Sequence, residues 1–423
     1  MEGNTVLLAE NLMKLLFIII ISGVVFAKIG KKIKMPDVVL FIIAGIIVGP
    51  SVLNLVDFSS YPIENQLILT FGAAYILYDG GREIQLKVLN EVKGSVAVLA
   101  TAGVIISAFI TGFFAYKVLH IDFIYALLLG SVIASTDPSV LVPLFKNMNI
   151  SPKLKQTIIS ESAFNDAVGA IMTFAIIGII SGGSFSLGHS IIELLKEAGG
   201  GTVVGAIFGF LGTALVSEAK VGVLRGYAGE VAVALVLASY VTAVHFGFSG
   251  FMAVFIVGMV CGNKKMFGLA SVDEESYELH SKFKEVTISM LRIMIFVLLG
   301  VQMNFAILSK YWGKALIIVL GFVFIARPVS VLFSVIFDRK AKWNIREIAY
   351  LMWTRETGVI PAALAGMLIS MKIQNADIIS AVTSMAIIIT LTFQASTAKY
   401  FAKILKLDID SGENKEQSDK VAA

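Results

Sequence analysis

The chain has 423 residues, of which 57% are hydrophobic and 15% charged, with a net charge of +4 and a mean hydropathy of +0.86. A soluble domain carries about 25% charge, so an ordinary aqueous enzyme, a disordered chain and a secreted disulfide scaffold are excluded, and an all-α polytopic membrane protein is indicated. The small positive excess gives no basis for nucleic-acid binding, the single cysteine Cys261 excludes an intrachain disulfide, and His120, His189, His245 and His280 show no zinc-binding spacing.

A helix needs about 20 mostly apolar residues to cross a bilayer. Thirteen candidate segments fall near 12–29, 36–56, 64–80, 94–118, 122–145, 156–181, 200–217, 227–246, 248–263, 285–302, 313–337, 345–370 and 376–400. Lys28, Lys31, Lys32 and Lys34 follow the first run instead of preceding it, and no small-residue cleavage site is present, so the run reads as a retained segment and not a signal peptide. No long hydrophilic insertion divides residues 1–406, which read as one integral domain, while residues 407–423 are polar and read as a disordered cytoplasmic tail. Twenty-five of the 34 Lys and Arg residues fall after odd-numbered segments or in the tail, against six on the other side. The positive-inside rule then places the N-terminus outside and the C-terminus in the cytoplasm of a cell-membrane protein. Arg292, Arg327 and Arg355 lie in or beside apolar runs, where topology does not account for them.

An ionised side chain at mid-membrane costs at least about 2.5–3.5 kcal/mol on insertion scales, so the intramembrane acids Asp79, Asp137, Glu161, Asp166, Glu230 and Glu356 and these arginines mark a pathway or internal partners. The fifth segment reads Ser135-Thr136-Asp137-Pro138, with Pro143 beyond. Pro138 disturbs the carbonyl of Ala134 and Pro143 that of Ser139, so the helix is predicted to open around Thr136–Asp137. Freed carbonyls, the Thr136 hydroxyl and the Asp137 carboxylate form a hard-oxygen environment for a small cation; a proline kink capped by Asp137 is the plainer alternative. In the sixth segment, helical spacing places Ser162 and Asp166 on one stripe and Glu161 and Asn165 on its neighbour, with Gly169 one turn further on. A purely structural hydrogen-bonded knot is the alternative, and the favoured reading for Glu161. The twelfth segment, Arg355-Glu356-Thr357-Gly358-Val359-Ile360-Pro361, again places a helix breaker beside charge. Two broken segments seven apart run in opposite directions, the pattern of inverted repeats whose discontinuous helices cross at a midplane site. Arg355 is the expected counter-charge for Glu161, with Arg327 as a second candidate; in that reading Asp166 is left to exchange its charge.

In these motifs, together with Ala326-Arg327-Pro328, the chain resembles the NhaP-type sodium/proton antiporters of the cation/proton antiporter superfamily, electroneutral branch, over the whole membrane portion. Relatives often place glycine between the arginine and the following hydrophobic pair, where this chain has Glu356-Thr357-Gly358. The resemblance implies that Asp166 is the ion-binding carboxylate, that Asp137, Ser162 and the Thr136 carbonyl complete a Na+ shell, that Asn165 supports the geometry, and that Arg355 holds Glu161. It implies an acid at Asp79 in water-mediated contact with the ion, with the solvated end of the third segment as the alternative. It further implies a homodimer in which a bundle (approximately 94–181 and 313–400) moves against a dimerising scaffold (approximately 12–80 and 200–302), and electroneutral exchange of one Na+, or Li+, for one H+. No cofactor and no enzymatic reaction are expected. A K+/H+ antiporter of the same fold stays open because selectivity depends on shell size. A sodium-coupled symporter, a channel and an intramembrane aspartyl protease fit less well; the last needs a Gly-x-Gly-Asp turn that is absent around Asp166.

Overall fold

The computed structural model describes residues 2–33, 35, 37–136, 145, 148–182, 187–217, 222–267, 274–336, 338 and 340–408. Among them every regular element is helical. The first half of the chain contains α1 (Glu2–Ile33), α2 (Asp37–Val48), α3 (Pro62–Glu83), α4 (Leu86–Val98), α5 (Val104–Leu119), α6 (Phe123–Ile133) and α7 (Pro152–Ile180). It continues with α8 (Leu187–Val216), α9 (Ala228–His245), α10 (Gly250–Gly262), α11 (Glu274–Val301), α12 (Phe305–Gly321), α13 (Arg327–Ile336), α14 (Ile345–Trp353), α15 (Val359–Ser370), α16 (Ala376–Ile389) and α17 (Ser396–Ile404). Among the described residues seven helical stretches are long and apolar enough to cross a membrane, and α2, α6, α10 and α15 are shorter apolar helices.

Every predicted apolar run overlaps a described helix; Asp137 with Pro138 and Pro143, and the tail beyond Asp408, lie outside the described residues. Helix ends follow local chemistry. Ser151 caps α7, accepting from the Leu154 amide at 3.3 Å ahead of Pro152, and Asn344 forms a capping box with Glu347 at the start of α14. The second run was expected to extend to residue 56, but α2 stops at Val48 because Gly49-Pro50 cannot prolong the hydrogen-bond ladder. The chain then turns back through Asn54, at φ 50°, and Ser51 Oγ donates to Met303 O at 3.2 Å at the end of α11.

The inverted repeat is visible in three places. The fifth segment breaks after α6 and the twelfth between α14 and α15. The fourth and eleventh segments each carry one π-turn, Leu99–Gly103 between α4 and α5 and Phe322–Ala326 between α12 and α13. The helix crossings give the third sign. A Cβ at Gly45 of α2 would strike Val297 O of α11, and one at Gly300 of α11 would strike Ile42 O of α2. A Cβ at Gly81 of α3 would strike Phe255 O of α10, and one at Gly258 of α10 would strike Tyr78 O of α3. In all four cases the blocking carbonyl lies three residues before the partner glycine, so both crossings have the same register.

At one end of the bundle a polar clasp joins the fourth, sixth and twelfth segments to the loop after α13. Asp338 Oδ2 accepts from the amide and the hydroxyl of Ser95, both at 2.7 Å, and Trp343 Nε1 donates to Ser95 Oγ at 2.7 Å. Lys153 Nζ lies over the Trp343 ring at 4.3 Å and donates to Glu347 Oε2 at 2.7 Å. Burial raises the Asp338 pKa, but hydrogen bonds from Ser95 and from the amides of Ala341 and Lys340 outweigh it and hold this loop carboxyl below its ordinary range.

Candidate functional site

α6 ends at Ile133, and the chain beyond Ala134 is no longer helical at Ser135 and Thr136, as the prolines predict. Side chains of α7 hold this stretch. The Thr136 amide donates to Asn165 Oδ1 at 3.0 Å, Asn165 Nδ2 donates to Thr136 Oγ1 at 2.8 Å, and Ser162 Oγ donates to Thr136 O at 2.6 Å. A carbonyl has two lone pairs, so Thr136 O keeps one acceptor position beyond the Ser162 bond. Gly169 permits the close approach, since a Cβ there would lie 3.2 Å from Ser135 Cβ. Asp166 is buried on α7, one helical turn from Ser162. Thr136, Ser162 and Asn165 are thus brought together as expected, while Asp137 lies outside the described residues.

The second break runs from Thr354 to Gly358, wholly buried. The break and the carbonyl just before it find partners on the last segment: Thr390 Oγ1 accepts from the Thr357 amide at 3.0 Å, and Gln394 Nε2 donates to O of Trp353, the last residue of α14, at 2.7 Å. Both partners belong to a third π-turn, Thr390–Ala395. Sequence reading passed over Thr390 and Gln394, although two polar residues four apart in an apolar run are a recognisable signal.

The arginines divide their work differently from the expectation. Glu161 is held by Arg327, not by Arg355. Arg327 Nη1 donates to Glu161 Oε1 and Nη2 to Oε2, the latter at 3.0 Å. Arg327 Nε also donates to Leu351 O at 2.9 Å, and Nη2 reaches Thr354 O at 3.4 Å. Arg355 instead donates to Ala134 O, and its guanidinium covers the Phe322 ring at 4.6 Å. The reason is position: Arg355 lies in the unwound stretch where the two breaks meet, so it reaches the Ala134 carbonyl at the end of α6, while Arg327 follows the π-turn and faces α7. Each arginine therefore supplies donors to carbonyls at the C-terminus of a broken half-helix, where backbone dipoles favour a cation.

On the neighbouring helices, Asp79 of α3 accepts an ion pair from Lys284 of α11 at 2.8 Å, with side chains 16% and 20% exposed. This direct partner was not anticipated. Arg292, unexplained by topology, lies 3.7 Å from Asp37 at the N-terminus of α2. A cavity of about 580 Å³ opens where α2, α3, α11 and α15 meet, lined among others by Asp57, Asn65, Gln302, Ser370 and Asp377. Within this lining Asn65 Nδ2 donates to Ser370 Oγ.

Inverted repeats with two discontinuous helices crossing beside a buried carboxyl define a secondary transporter of the membrane. The family described as "Sodium/hydrogen exchanger, transmembrane" matches residues 16–404, and the chain belongs to it, in its NhaP-type branch. A probable Na+/H+ antiporter 2 of Methanocaldococcus jannaschii is 30% identical over 416 residues, covering 92% of this chain and 96% of its own length. The solved sodium proton antiporter MjNhaP1 of the same organism, at pH 8, superimposes with a TM-score of 0.82 at 27% identity, covering 93% of this chain and 99% of that one. A K+/H+ antiporter NhaP2 of Shewanella oneidensis is 24% identical over 393 residues, covering 92% of this chain and 66% of its own length.

Proposed function

We propose that the protein exchanges Na+, or Li+, for H+ across the cell membrane, one for one, with the cation and the proton competing for Asp166. The observation that carries this reading is the buried Asp166 carboxyl on α7, one turn from Ser162, whose hydroxyl holds the unwound Thr136. A bound cation favours the ionised carboxylate, and protonation removes the charge that holds the cation. A site that changes faces only when occupied then exchanges the two ions without a nucleotide or cofactor. Asp137, Ser162 and the remaining lone pair of Thr136 O complete the shell. Asn165 spends its amide, as donor and acceptor, on Thr136, which supports a positioning role and leaves one exchangeable acid. The full topology in this proposal is thirteen spans with the N-terminus outside and the C-terminus in the cytoplasm. A bundle of segments four to six and eleven to thirteen rocks against a scaffold that forms a homodimer and serves pH homeostasis.

K+ is the competing cargo, supported by the K+/H+ relatives. Proteoliposomes loaded with a pH dye and challenged with Na+, Li+ and K+ rank the cargo. Asp166→Asn is expected to abolish the cation-dependent pH change; exchange at normal rates in that variant removes Asp166 from the mechanism. Sustained current under a Na+ gradient contradicts the one-for-one stoichiometry.

A further inference from the structure

Lys284 has no part in the site as the sequence defines it, and it sits on a carboxylate that the exchange reading gives to the cargo. Asp79 and Lys284 both belong to the scaffold helices, α3 and α11. Asp79 precedes Gly80, where an added Cβ would touch Ala163 Cβ of α7 at 3.7 Å. Ala163 follows Ser162 and lies three residues before Asp166, so Asp79 sits on the stretch of α3 that passes the site helix. Arg82, one turn further along α3, places its guanidinium 5.7 Å from the Tyr78 ring. Lys284 Nζ lies within hydrogen-bond distance of Asp79 Oδ1.

The form of the contact matters. A lysine ammonium is a compact charge on a flexible stem, joined here through one short contact and not through a two-pronged fork. Both side chains keep part of their surface exposed, while the Asp79 Oδ1 that meets the ammonium is itself buried, so a cation that displaces Lys284 has to take over that oxygen. An alkali cation carries the same charge as the ammonium. When it enters beside Asp79, directly or through its water, the two cations compete for one carboxylate.

We infer that Lys284 is a tethered counter-cation: it occupies Asp79 while the site is free of cargo, is displaced as the cation engages, and returns to favour release. This rests on the reading of the protein as a cation/proton exchanger. Lys284 is a positioning residue that sets apparent cation affinity.

Removing the competitor without adding charge tests this. In proteoliposomes Lys284→Gln is expected to lower the apparent KM for Na+ about fivefold, with the maximal rate kept within about twofold, while Lys284→Arg keeps the wild-type KM. A second measurement needs no variant. In the purified wild-type protein, acylation of Lys284, followed residue by residue by mass spectrometry, should be faster in NaCl than in choline chloride at equal ionic strength. A KM in Lys284→Gln that is unchanged or raised, or equal labelling in the two salts, overturns the inference and leaves the pair a plain staple between α3 and α11. If Lys284→Gln fails to assemble, the labelling experiment decides. Wild-type vesicles that move no protons with any alkali cation defeat the exchange reading itself, whereas normal exchange with an indifferent Lys284 defeats only the tether.

Discussion

The carboxylates of Glu161 and Asp79 each end on a cation, one on α7 facing α13 and one on α3 facing α11. Glu161 has both oxygens engaged by Arg327, the two side chains are 3% and 1% exposed, and the rest of the guanidinium is spent on backbone carbonyls of the twelfth segment. Asp79 meets Lys284 through one contact, with both groups partly exposed. A fully buried charge that loses its partner is left uncompensated, whereas one whose side chain is partly exposed keeps some access to water. Glu161 is thus fixed from several sides, whereas Asp79 is held through a single contact.

The strongest way to break this comparison is to strand the guanidinium. Glu161→Gln should cost about 3–5 kcal/mol, read as a fall in the Tm of the detergent-purified protein, while Asp79→Asn should cost less than about 1 kcal/mol. Equal losses would erase the distinction. Arg355→Lys comes next: a lysine cannot both reach Ala134 O and cover Phe322, and the broken end of α6 loses a charged donor, for about 1–3 kcal/mol. Asp338 sharpens the contrast from outside the spans. Its pKa lies below the ordinary 3.8 in the folded protein, so its contribution to stability is present above that value and lost as the pH falls through the folded one. Asp338→Asn should therefore lower Tm at neutral pH, and the gap to wild type should close below pH 3.8. The smallest effect is expected from replacing all four histidines, which should leave the exchange rate and its pH profile unchanged in vesicle assays, since none falls in the sequence motifs that form the site.

Much of the architecture could be read before any coordinates. The proline after Asp137 predicted an orphaned carbonyl at Ala134, and that carbonyl accepts from an arginine. Which arginine could not be read. Arg327 and Arg355 both satisfy the charge logic for Glu161, and only the crossing of the broken segments turns one toward α7 and the other toward α6. Lys284 was hidden for a different reason. Counted as a loop residue for topology, it lies well inside α11, because that helix starts at Glu274 among charged residues that no apolar pattern marks. Thr390 and Gln394 were passed over because neither carries a charge, yet they hold the second break in place.

The matched glycine crossings bear on how the molecule is made. α2 and α3 come from the first half of the chain and their partners α11 and α10 from the second, so each tight crossing joins one half to the other. When the first half leaves the ribosome, the grooves at Gly45 and Gly81 have nothing to close against until the later helices are synthesised. The two halves are braided, not merely adjacent, and neither is a module that evolution could discard, exchange or inherit alone.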